Sequence, residues 1–140
     1  MPSSSRRRPA LVWAIFVWYV LSAGYTLLSF MLIFAGRVPL TAEASRYLGS
    51  LSPLDYTVTI LALLLNVGGA VALLLLRGAA AYLFTAALLL NSASVALHAL
   101  TKGLVAALGA GGPIGLLLGY GIAVLVCVYA WRLYARSTLT

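Results

Sequence analysis

Four long apolar runs alternate with short polar stretches along this chain, and each run has the length of a membrane-crossing helix. They predict helices over residues 10–36, 53–76, 79–101 and 113–135, all past the ~18 apolar residues that mark a span of a hydrocarbon core about 30 Å thick. In lipid the backbone must satisfy its own hydrogen bonds, which for a single run means a helix. The expected fold is therefore all-α: a four-transmembrane-helix bundle forming one membrane domain over residues 10–136, with a flexible basic segment at 1–9 and a short tail at 137–140. The first run is longer than a signal-peptide core and carries Trp13, Trp18 and Tyr19, so it reads as an uncleaved helix.

The connections carry their own signals. Within residues 37–52, Thr41 stands as a helix cap, and Glu43, Arg46, Tyr47 and Leu48 predict a short interfacial helix closed by Gly49. Ser52, Pro53 and Asp55 then sit where a helix start wants an N-cap, a proline and an acid. Almost no loop separates the second run from the third at Arg77-Gly78, so the two must return on each other as a hairpin. Residues 103–112 are apolar but broken by glycine, which suits a connection rather than a span.

Polar positions interrupt the apolar runs at helical spacing. Asp55, Thr59, Ala62 and Asn66 share one face of the second helix, and Asn91, Ser94, His98 and Lys102 share one face of the third. A hairpin turning near Gly78 levels Asp55 with Lys102, Thr59 with His98, and Asn66 with Asn91, placing both asparagines at mid-membrane. On the first helix Trp18, Ser22, Tyr25, Ser29 and Gly36 form a further stripe, with Tyr25 at the asparagines' depth. The candidate polar pocket is Tyr25, Ser29, Thr59, Asn66, Asn91, Ser94 and His98, and Asp55 with Lys102 is expected to form an ion pair at the outer end. Each of these has a structural alternative. Asparagine and serine act as interhelical glue, an Asn66–Asn91 hydrogen bond would fix the hairpin, and Asp55 has a complete role as a helix cap. The last helix carries Gly111, Gly115, Gly119, Ala123 and Cys127 four residues apart, an extended small-residue register expected to be a packing seam.

Composition narrows the function. At 64% hydrophobic and 8% charged residues, a soluble domain of this size is excluded. The net charge of +7 would point to nucleic acid in a soluble chain, but the basic residues cluster at the ends of apolar runs, where lipid headgroups and topology account for them. Arg6, Arg7, Arg8, Arg77, Arg132 and Arg136 fall on one side, and Arg37, Arg46 and Lys102 on the other. This bias puts both termini in the cytoplasm of a bacterial-type cytoplasmic membrane. A single cysteine and a single histidine supply no internal disulfide, no Cys-based zinc site and no pair of axial haem ligands, so no cofactor or metal is expected.

Three function classes remain, in order. The first is a non-catalytic accessory or assembly subunit, packing through the glycine seam against a copy of itself or another membrane protein. The second is a small oligomeric transporter or channel with an outward-facing polar pocket. The third is an enzyme acting on a lipid or quinone, with His98 as base; it ranks last because no nucleophile or metal set accompanies the histidine.

Overall fold

The computed structural model describes residues 10–136, so the basic segment and tail expected at 1–9 and 137–140 lie outside the described residues. The described residues form six helices: α1 (Ala10–Phe34), α2 (Ala42–Gly49), α3 (Pro53–Leu74), α4 (Ala79–Thr101), α5 (Leu104–Leu108) and α6 (Gly112–Ala135). Four of them, α1, α3, α4 and α6, are long and apolar enough to cross a membrane. The stretch read as a connection rather than a span at 103–112 contains the short α5, set between Gly103 and Gly109, both at positive φ.

Helix ends explain where the expected boundaries moved. Gly36 adopts φ +66°, and the amides of Gly36 and Arg37 fold back onto the carbonyls of Ile33 and Leu32. This Schellman closure ends α1 at Phe34, two residues short of the hydrophobic boundary. The same closure ends α3, with the amides of Leu76 and Arg77 bonded to the carbonyls of Leu73 and Ala72. Here Leu76 takes the left-handed position at φ 56°, a conformation that costs a residue with a Cβ about 1 kcal/mol.

That closure resets the hairpin. The turn occupies residues 75–78 rather than Arg77-Gly78 alone, so its centre lies nearer α3; the expected Asp55–Lys102 ion pair forms, and His98 joins it. Asp55 bonds His98 directly, and Lys102, a turn beyond, reaches back to the same carboxylate. Thr59 does not meet His98; its hydroxyl donates to the Asp55 carbonyl.

The helices pack in the order α1, α3, α4, α6, and α1 and α6 come together only near the hairpin turn. At this turn end Val12 and Ile15 of α1, Leu73 of α3, Phe84 of α4, and Val126 and Leu133 of α6 form one buried apolar cluster. Fully buried Ala70, Ala80, Ala81 and Ala130 let the backbones approach, as membrane helices require when lipid supplies no hydrophobic drive. A Cβ on Gly69 would sit 3.1 Å from the Phe84 ring, and that ring packs on Tyr19 at 5.3 Å between centroids. Tyr82, Trp131 and Tyr134 stack edge-on beside the turn.

The glycine seam divides into two halves. Cys127 is buried, with its sulfur 3.3 Å from the Thr85 hydroxyl. Ala123 lines a cleft against α4. Gly111, Gly115 and Gly119 are exposed, and a Cβ added at any of them would meet nothing within 4 Å. The seam therefore does not close the bundle on itself: towards α5 it leaves Gly111 and Gly115 exposed, and Gly119 opens onto the cleft between α4 and α6.

Candidate functional site

Asp55 anchors a polar clasp at the end of the bundle opposite the hairpin turn. Ser52 caps α3, and its amide and hydroxyl both donate to Asp55 Oδ2, at 2.6 and 2.8 Å. Lys102 Nζ at the close of α4 donates to the same oxygen, while His98 Nε2 donates to Oδ1 at 3.0 Å. The carboxylate is 8% exposed and the histidine 6%, so four donors converge on one carboxylate screened from water. Charge-assisted bonds of this kind are the strong ones.

The clasp extends to a third element. The Tyr47 hydroxyl of α2 lies 2.8 Å from His98 Nδ1, with the rings 5.9 Å apart and edge-on. Burial, followed by the nearby charges of Asp55 and Tyr56, pushes the Tyr47 phenol above its ordinary pKa, so it remains protonated beside Nδ1. This network engages both ring nitrogens. With both nitrogens of His98 paired inside the chain, the arrangement suits a clasp that pins α2 to the hairpin better than a general base. Tyr47 is the site residue that the sequence reading missed. Its partner stands 51 positions away, and local pattern shows only an aromatic residue on a short helix.

The expected polar pocket separates into two regions. Thr59, Asn66 and Asn91 line one cleft of about 250 Å³, together with Tyr19, Ser22 and Thr26 of α1. Tyr25 and Ser29, expected there, line no part of it; Tyr25 is 75% exposed. The reason is rotational: the small Ala23, which is buried, sets the packed face of α1, and this turns Ser22 and Thr26 inward and Tyr25 outward. Ser94 and His98 lie with Asp55 along a separate α3–α4 groove of about 190 Å³.

The expected Asn66–Asn91 bond is absent. Asn66 Nδ2 instead donates to the Ala62 carbonyl one turn back at 2.9 Å, although both asparagines line the same cleft. Thr26 and Thr59 likewise spend their protons on the carbonyls of Ser22 and Asp55. What these side chains still offer to the cleft is mainly acceptor oxygen. Asn91 also lines a second cleft of about 230 Å³ between α4 and α6. There the Tyr120 hydroxyl is buried with no partner among the described residues.

Comparison with protein-family models, with curated proteins and with solved structures found no match to this chain.

Proposed function

We propose that the protein is a non-catalytic subunit of a membrane assembly that associates, in the first instance with a second copy of itself, through the α5-proximal half of α6. The observation carrying this reading is the open glycine face at Gly111, Gly115 and Gly119. Glycine facing lipid offers few dispersion contacts, whereas glycine facing another helix allows backbones to touch. Because a Cβ at these positions meets nothing within 4 Å, Gly115→Leu and Gly119→Leu should leave the monomer folded and abolish association in mild detergent. Leu117→Ala, on another face of α6, should associate like the parent. Equal association of all three variants would refute the proposal.

The proposed setting is a bacterial-type cytoplasmic membrane with both termini cytoplasmic, supported by the distribution of basic residues. In this orientation α2 lies along the outer interface. Single cysteines at Ser45 and Ala110, in a Cys127→Ser background, should react with an impermeant thiol reagent in whole cells, and one at Ser4 should not. The opposite pattern would invert the topology.

The second reading, a small transporter or channel, is favoured by the clefts on either side of Asn91 and by the unpartnered Tyr120 hydroxyl. Polar groups at bilayer depth are costly unless water or a ligand meets them. A cysteine at Ser22 should then react with a water-soluble thiol reagent at a rate far above one at lipid-facing Leu28. Matching slow rates at both positions would remove this reading.

A further inference from the structure

One apolar cleft belongs to neither the clasp nor the polar pocket. It holds about 580 Å³ between α1 and α6, with Leu11, Ile15 and Trp18 on one wall and Ile122, Leu125 and Arg132 on the other. Arg132 is its one charged residue. The guanidinium is exposed and forms no salt bridge among the described residues.

Dimensions suggest what fills it. Ile122 stands ten residues before Arg132, a rise of about 15 Å along the helix, or about half of a ~30 Å hydrocarbon core. The groove therefore has the depth of one leaflet, apolar along its length and basic at the end where α6 leaves the membrane. Its volume, at ~30 Å³ for a group the size of a water or methylene, matches an acyl chain of under about twenty carbons. The arginine presents a fork of donors suited to phosphate oxygens.

We propose that this groove is a binding site for a single anionic glycerophospholipid, one acyl chain lying between α1 and α6 and the phosphate on Arg132. The lipid completes the packing that the chain leaves open between its first and last helices. The inference rests on the four long helices crossing a bilayer, and is independent of association through α6, since the groove and the glycine face occupy opposite halves of that helix.

The test uses the full chain purified in mild detergent, with phosphatidylglycerol or phosphatidylcholine of identical acyl chains added and bound lipid counted by native mass spectrometry. A one-to-one adduct is expected, with phosphatidylglycerol preferred by about fivefold, the value of one basic residue near a membrane surface. Arg132→Gln should bring the preference to about one, while Arg136→Gln, outside the groove, leaves it intact. Leu125→Trp, which fills the exposed groove without touching the buried cluster, should weaken both lipids alike. Equal binding of the two lipids by the parent would overturn the site. So would loss of preference in Arg136→Gln as large as in Arg132→Gln, the mark of diffuse attraction to a basic end. If the chain instead leaves membranes in carbonate without detergent, the membrane reading itself fails.

Discussion

Replacing Asp55 by alanine is expected to lower the melting temperature of the detergent-solubilised protein more than any other single polar substitution in the bundle. The carboxylate accepts from the Ser52 amide, the Ser52 hydroxyl, Lys102 and His98 at once, so its removal leaves each of those donors without its acceptor. Losing one partner of a screened network is worse than never having built it, because the remaining groups stay desolvated. Asp55→Asn should fall between alanine and the parent: it retains an acceptor oxygen for the cap but offers Lys102 no counter-charge. Tyr47→Phe, which severs only the last link to α2, should cost about 1 kcal/mol. The sharper signature is local. In Asp55→Ala, proteolysis within residues 37–52 should accelerate before the bundle melts, since α2 is tied to the hairpin through His98. An alanine variant that melts with the parent would show that the clasp contributes nothing.

At the other end of the bundle, Gly69→Val is expected to be strongly destabilising. Its Cβ would stand 3.1 Å from two carbons of the Phe84 ring, and that ring is held from behind by Tyr19. Overpacking of a closed contact costs about 1–3 kcal/mol. Gly68 is the internal control: a Cβ there meets only the Leu83 side chain at 3.9 Å, so Gly68→Ala should be tolerated. Adding Phe84→Ala should relieve Gly69→Val, giving a double variant less destabilised than the two single losses added together. Strict additivity would mean that the two residues do not meet.

These expectations show which levels of structure could be read from the chain. The number of long apolar helices and the capping box at Ser52, Pro53 and Asp55 were legible because they depend on local signals: apolar run length, and side chains that bond amides within one turn. Pairing register was not. It turned on Leu76 accepting a left-handed conformation that sequence rules reserve for glycine, and the resulting shift brought His98 to Asp55 alongside the expected Lys102. Rotation of α1 was equally hidden, since Ser22, Tyr25 and Thr26 all lie near the same depth and only packing of Ala23 decides which of them faces inward. Tyr47 escaped because its role depends on α2 docking onto the hairpin, a tertiary event with no periodicity to reveal it. The small-residue register on α6 was visible, but not the fact that its own chain uses only the Cys127 end.

The open half of that register carries the functional reading, and disulfide trapping in native membranes tests it most directly. Single cysteines placed in turn at Gly115, Leu117 and Gly119, in a Cys127→Ser background, should yield oxidised dimers at Gly115 and Gly119, where facing backbones lie within the ~4.4–6.8 Å that a disulfide spans between Cα atoms. Leu117 is 71% exposed and equally free to collide, yet it points about 200° away from Gly115 around the helix and should remain monomeric. Dimers at all three positions, or at none, would contradict assembly through the glycine face of α6.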